Sequence, residues 1–260
     1  MDKEFTSEQL QRYQRQMMLP GIGLAGQQKI AESRVFIAGA GGLGSPAGYY
    51  LAAAGIGRIC MADDDVVELS NLQRQIAHNT ERIGMNKTRS AEATFKSLNP
   101  DIDYASMQQK ITAENVASLI EGYDIVLDCS DNLSTRYLLN DACVLMSKPL
   151  VSGAVAGFTG HVTTIIPGQG HCFRCIFEDM DPYDKSLDSQ PGILGAFAGV
   201  IGSIQAMETL KIITGIGETL QNTLLIYDGL KSEFRRVHAA RNRDCPACGE
   251  NPTIKISGRG

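Results

Sequence analysis

The chain has 260 residues, 43% of them hydrophobic, with 24 basic and 29 acidic side chains and a formal net charge of −5. That is enough for one large core, and the acidic balance argues against a nucleic-acid-binding face or a polybasic membrane patch. Residues 1–5 hold no apolar signal core and no run approaches the ~18 apolar residues of a membrane span, so a cytoplasmic protein is expected.

Residues 1–33 read as a polar, helix-friendly N-terminal segment with Arg12-Tyr13-Gln14-Arg15-Gln16 and then a glycine-rich loop, Gly21 to Gly26. Val35 to Ala38 form a short apolar run that breaks into Gly39-x-Gly41-x-x-Gly44, followed by Ser45-Pro46 and a helical stretch over 45–54. A buried strand, a glycine turn and a helix start in that order predict a nucleotide site. Gly39 permits the turn, Gly41 lets a phosphate approach the backbone, and Gly44 lets the helix pack on the strand. Arg58 to Asp63 make the next strand, ending in Asp63-Asp64-Asp65, about 20 residues beyond the glycines. An acid there suits the ribose hydroxyls of NAD or ATP equally.

Ser70-Asn71-Leu72-Gln73-Arg74-Gln75 is too polar for a core strand and offers amides and an arginine to phosphate or ribose. Helices follow over 86–98, with Lys87 near the start, and over 112–121 and 132–146; strands follow over 103–107 and 123–128, the latter leading into Asp131-Asn132. This alternation predicts a Rossmann-like, doubly wound α/β sheet of parallel strands. Leu150 to Ala154 add a buried strand and His161 to Ile166 another, and residues 176–192 read as a long loop. An apolar helix covers 196–214, and 224–227 with 233–238 make a late antiparallel pair before a mobile tail, 251–260. The expected fold is therefore α/β, with C-terminal antiparallel strands beside the parallel ones. Residues 34–260 form one domain, a nucleotide-binding half over about 34–150 and a second half over about 151–250.

Cys172-x-x-Cys175 and Cys245-x-x-Cys248 are two paired-thiolate turns, which together predict a closed, structural Zn²⁺ site. Cys60, Cys129 and Cys143 sit in apolar runs and read as core. Arg74, Lys87 and an acid at a strand end that can hold Mg²⁺, Asp131, fit a triphosphate better than the two phosphates of a dehydrogenase cofactor. Taken singly, Arg74 and Lys87 also fit solvated charges, Asp131 a helix N-cap, and Arg15 an exposed helical charge.

The motifs Arg12-Tyr13-x-Arg15-Gln16, Gly39 to Ser45, Ser70 to Gln75, Asp128-Cys129-Ser130-Asp131-Asn132, Pro149 to Ala154 and Gly199 to Glu208, with the two Cys-x-x-Cys turns, resemble the MoeB/ThiF/HesA family, relatives of ubiquitin-activating enzymes. The resemblance implies an ATP-dependent adenylyltransferase acting on the C-terminal glycine of a ubiquitin-like sulfur carrier (MoaD/ThiS-like), in molybdopterin or thiamine biosynthesis. It implies that Gly42, Asp63, Ser70, Asn71, Leu72, Gln73, Arg74, Lys87, Asp131 and Asn132 line the ATP site, with Asp131 on Mg²⁺ and Arg74 on phosphates, and that Arg15 crosses a homodimer into the partner's site; Gly39, Gly41, Gly44 and Asp65 join the expected nucleotide-binding set through the glycine turn and the acidic strand end. Gly42 leaves room for a carrier's Gly-Gly tail. Many relatives carry a cysteine where Asp188 stands, so no thioester or persulfide is expected on that loop, and sulfur would come from a separate donor. No appended rhodanese-like domain is expected after Gly260. Other readings are adenylation of a peptide, tRNA-linked or small-molecule carboxylate, an NAD-dependent oxidoreductase, and a silent module that docks a ubiquitin-like partner.

Overall fold

The computed structural model describes residues 4–178 and 192–255. The chain opens with two helices, α1 (Ser7–Met17) and α2 (Gly23–Glu32), and then alternates: β1 (Arg34–Ala38), α3 (Gly44–Ala54), β2 (Arg58–Ala62), α4 (Lys87–Leu98), β3 (Asp103–Met107), α5 (Val116–Ile120), β4 (Ile125–Asp128), α6 (Leu133–Leu145) and β5 (Leu150–Ala156). β6 (Thr159–Ile165), the one-turn α7 (Phe173–Ile176), α8 (Gly195–Thr214), β7 (Thr223–Asp228) and β8 (Glu233–His238) complete it. All eight strands form one sheet in the order β3-β2-β1-β4-β5-β6-β7-β8. The first five lie parallel, and β6, β7 and β8 pair antiparallel, as the sequence pattern predicts.

β1 is buried on both faces, which is why it reads as an unbroken apolar run. Val35 and Ile37 point into one core with Leu51, Ile59 and Leu127. Phe36 and Ala38 point into the other with Cys60, Val126 and Cys143. The order of strands reverses direction beside β1, between β1 and β4, and the crevice outside the carboxyl ends at such a switch point is where ligands bind in open α/β sheets.

Three local expectations are corrected. The glycine-rich stretch 21–26 is not all loop: α2 begins at Gly23, because Gly26, Gln27, Ile30 and Ala31 bury one face and packing outweighs glycine's poor helix propensity. The helix expected over 112–121 shrinks to Val116–Ile120, since Asn115 Oδ1 accepts from the Thr112 amide (2.8 Å) and makes 112–115 a turn. By length and composition α8 is long and apolar enough to cross a membrane, where no such run was expected. It nevertheless lies on the sheet, where Gln205 Nε2 donates to the Asp128 (2.7 Å) and Val151 (3.2 Å) carbonyls, and Glu208 Oε2 accepts from Thr164 Oγ1 (2.7 Å) and the Leu220 amide (2.6 Å). Most of the loop expected over 176–192, with Asp188, and the last five residues of the tail lie outside the described residues.

Candidate active site

Gly39 turns the chain out of β1 with φ +99°, and its amide donates to the Ala62 carbonyl (2.9 Å). A Cβ at Gly39 would sit 2.7 Å from the Cys129 carbonyl oxygen, so the turn is closed to any larger residue. A Cβ at Gly44 would lie 2.0 Å from the Gly39 carbonyl oxygen. Gly44 therefore seats α3 against the turn, while Gly39, Gly41 and Gly42 line a cavity of about 510 Å³ beside it. This splits the predicted glycine set: Gly44 acts through packing and is not among the residues lining the cavity.

The cavity opens at the carboxyl ends of β1, β2 and β4 and gathers Asp63, Asp65, Ser70, Gln73, Arg74, Lys87, Asp131 and Asn132 around the glycines. Asp63 receives the Ala40 amide on Oδ2 (2.8 Å) and the Asp65 amide on Oδ1 (2.9 Å). Burial pushes its carboxyl above the ordinary value, opposed by the Lys87 charge and the two amides. Asn86 caps α4 by accepting from the Thr88 (3.1 Å) and Arg89 (3.3 Å) amides, which fixes Lys87 as the first helical residue. From there Lys87 Nζ meets Asp65 Oδ2 at 2.7 Å. Arg74 is anchored by Nη1 donating to the Ser70 carbonyl (3.1 Å), and Gln73 Nε2 donates to the Ile193 carbonyl (3.4 Å). Asp131 is exposed, its Oδ1 3.5 Å from Asn132 Nδ2, and it is Asn132 that caps α6 by accepting from the Thr135 amide (2.9 Å).

Two predicted residues stand apart. Asn71 is buried, and its Oδ1 accepts from the Glu68 amide (3.1 Å), so it shapes the loop that carries Arg74 rather than lining the cavity. Arg15 is exposed on α1, also outside the cavity lining. The sequence reading missed Gln75 and Arg136. Gln75 is buried at the cavity wall with Oε1 unpartnered among the described residues, and the Ser70–Gln75 motif already contained it. Arg136 lines the wall and clamps the Ser130 (2.5 Å) and Gly153 (2.6 Å) carbonyls, tying the Asp131 loop to β5. Its place four residues after Asn132, one helical turn into α6, was the available signal.

The four predicted thiols meet on the far side of the sheet from α8. Cys172 and Cys175 Sγ lie 3.9 Å apart, Cys172 and Cys245 3.5 Å, and Cys175 and Cys248 3.4 Å. A tetrahedron of sulfurs about 2.3 Å from a Zn²⁺ has edges of about 3.8 Å, so the cluster could hold zinc with no open position. The Asn242 amide donates to Cys175 Sγ (3.3 Å), and Gly249 N closes the second turn on the Cys245 carbonyl (2.9 Å). Beside the cluster, Arg174 pairs with Asp141 through two 2.8 Å bonds. Cys60, Cys129 and Cys143 are buried in the core, as expected.

A pig (Sus scrofa) protein named adenylyltransferase and sulfurtransferase MOCS3 is 44% identical over 251 residues, covering 96% of this chain and 55% of that protein. The mouse (Mus musculus) protein of the same name is 43% identical over 249 residues, covering 95% of this chain and 54% of its own length. The chain thus spans about half the length of these relatives. In shape it resembles MccB of E. coli solved with ATP, with a TM-score of 0.80, 23% identity and coverage of 92% of this chain and 74% of that one; at this identity the likeness speaks for the fold. The ThiF family matches residues 13–247, a span that takes in the glycine turn, every residue lining the cavity and three of the four clustered thiols, and the chain belongs to that family.

Proposed function

We propose that the chain uses ATP to adenylate the C-terminal glycine of a ubiquitin-like sulfur carrier, in molybdopterin or thiamine biosynthesis. The observation that carries this reading is the convergence of the glycine turn, Arg74, Lys87 and the strand-end carboxylates in one cavity at the switch point of a ThiF-family fold. Similarity to proteins named adenylyltransferase and sulfurtransferase favours sulfur delivery over the peptide, tRNA and small-molecule alternatives.

In the proposed reaction a carboxylate oxygen of the carrier bonds to the α-phosphorus, the bond from that phosphorus to the α–β bridging oxygen breaks, and pyrophosphate leaves with the electron pair. No general base is required, because a terminal carboxyl with a pKa of about 3.5 is already ionised. Asp63 addresses the ribose, and Gly41 and Gly42 bring backbone to the phosphates. Arg74 and Lys87 neutralise charge on the departing pyrophosphate, Lys87 exchanging Asp65 for phosphate oxygen. Asp131 is assigned to Mg²⁺, which supplies charge neutralisation when bound. The neighbouring trio Asp63, Asp64 and Asp65 also gathers its oxygens, yet Asp63 is engaged by two amides and Asp65 by Lys87, which favours Asp131.

The same reading makes residues 34–150 the nucleotide half and 151–250 the carrier and zinc half, with zinc in a structural role, and places the enzyme in the cytoplasm. It includes a homodimer. The groove lined by Gln16, Tyr50, Ala53, Ser203, Met207 and Leu210 leaves Tyr50 58% and Met207 55% exposed, an apolar face suited to a second copy, with Arg15 beside Gln16 on α1.

Exchange of labelled pyrophosphate into ATP, run with small carriers ending in Gly-Gly, tests the assignment. Carrier-dependent exchange is the expected result, and silence with every carrier overturns it. NAD binding without ATP affinity would instead favour the oxidoreductase reading.

A further inference from the structure

His78 occupies a place the reaction scheme leaves unused. It is buried, 7% exposed, in the segment between the Arg74 loop and α4, with its amide donating to the Gln75 carbonyl (3.0 Å). Its Nε2 lies 2.9 Å from the Ala40 carbonyl oxygen and its Nδ1 3.0 Å from Ser90 Oγ. A carbonyl only accepts, so Nε2 carries the proton, and in the neutral ring Nδ1 accepts from the serine hydroxyl. Ala40 is the buried residue inside the glycine turn, and its amide is held from the opposite side by Asp63 at 2.8 Å. Both polar groups of that one residue are thus tied to the protein, while its neighbours Gly39 and Gly41 face the cavity. Ser90 lies three residues after Lys87 on α4, so the serine contacted by the imidazole and the cavity lysine share a helix face.

We infer that His78 is a positioning residue for ATP: as the neutral Nε2–H form it fixes the Ala40 carbonyl, sets the pose of the phosphate-facing turn and registers that turn against the helix that supplies Lys87. The inference rests on the adenylation reading for the identity of the nucleotide. It assigns His78 no contact with substrate.

The test compares His78→Phe, which keeps bulk and removes the donor, with His78→Gln, whose amide can still donate to Ala40. Titration calorimetry with ATP and carrier-dependent pyrophosphate exchange are the readouts, with circular dichroism and melting temperature as checks on folding. His78→Phe is expected to weaken ATP binding and raise KM for ATP roughly tenfold, the effect of one lost hydrogen bond, with kcat changed less than about twofold. His78→Gln should recover most of the affinity, and ¹⁵N imidazole spectra of the unsubstituted protein should show the Nε2–H tautomer. A folded His78→Phe with unchanged ATP affinity, a His78→Gln no better than His78→Phe, or an Nδ1–H tautomer each overturns the inference. If His78→Phe fails to fold, the tautomer and His78→Gln decide. Absence of exchange in the unsubstituted protein would sink the adenylation reading alone, since ATP affinity and tautomer still judge His78; absence of ATP binding would sink both.

Discussion

Lys87 Nζ lies 2.7 Å from Asp65 Oδ2, with the lysine side chain 8% exposed and the aspartate 67% exposed. The pair is lopsided: the cation is sunk into the cavity wall and its counter-ion stands in water. Exposed partners contribute little, so Asp65 is replaceable, whereas the buried Lys87 is the cation that the cavity wall supplies. Lys87→Ala is expected to lower pyrophosphate exchange by roughly 10²–10³-fold, the scale of removing one group that stabilises transition-state charge, with the fold intact. Asp65→Asn should cost less than about tenfold. Equal losses in the two variants would contradict the assignment of phosphate contact to Lys87.

Asp131→Ala should abolish exchange while leaving the melting temperature within a degree or two, because the side chain is exposed and Asn132 supplies the α6 cap. Asn132→Ala should do the reverse in part, costing about 1 kcal/mol of stability through the lost cap. If Asp131→Ala retains exchange with an unchanged Mg²⁺ optimum, the metal role belongs to another carboxylate.

Elemental analysis should find one zinc per chain. Stripping it with a chelator, or the change Cys245→Ser, is expected to lower the melting temperature by on the order of 10 °C, since folding and metal binding are coupled. ATP affinity should move far less, because the thiols and the cavity at the glycine turn share no lining residue. An unchanged melting curve would argue against structural zinc.

His161 gives the protein an acid sensitivity. Burial pulls its pKa down to about 4, with the Arg136 charge adding to the effect, and its Nε2 has no partner among the described residues. The unfolded chain therefore binds a proton near pH 6.5 that the folded chain takes up only near pH 4, so stability falls as pH drops through that window and is fully present above it. Each pKa unit corresponds to about 1.4 kcal/mol, so His161→Phe should visibly flatten the loss of melting temperature between pH 7 and pH 5. An identical pH slope in both proteins would refute this.

What was legible followed from period and punctuation. The unbroken apolar β1, the glycines after it and the acid following β2 report local chemistry, and the two Cys-x-x-Cys turns report theirs, so the fold and the thiol cluster could be read in advance. Asn71 marks a limit of the sequence: an amide that shapes a turn and one that touches a ligand look alike there, and the structure adds the 3.1 Å bond from the Glu68 amide. Arg136 and His78 escaped for a different reason. Each holds a carbonyl far along the chain, 17 and 38 residues away, a partner that sequence spacing does not reveal, although the place of Arg136 one turn past Asn132 was a signal that it lies near the site. The start of α2 at Gly23 was hidden because tertiary burial of Gly26 and Gln27 outweighed a local propensity.

The thiol cluster joins residues 73 positions apart, Cys172 to Cys245 and Cys175 to Cys248. With a metal in place the chain between them would become a ring, and that ring contains α8, which helps to wall the cavity at the glycine turn, and the whole of β7 and β8. A single cut inside the ring would leave two fragments still joined through the metal, in addition to the β6–β7 pairing and the contacts of α8 with the sheet. With its metal bound, the cluster would tie the molecule together in a second way, as a link that survives severing of the backbone between the two turns.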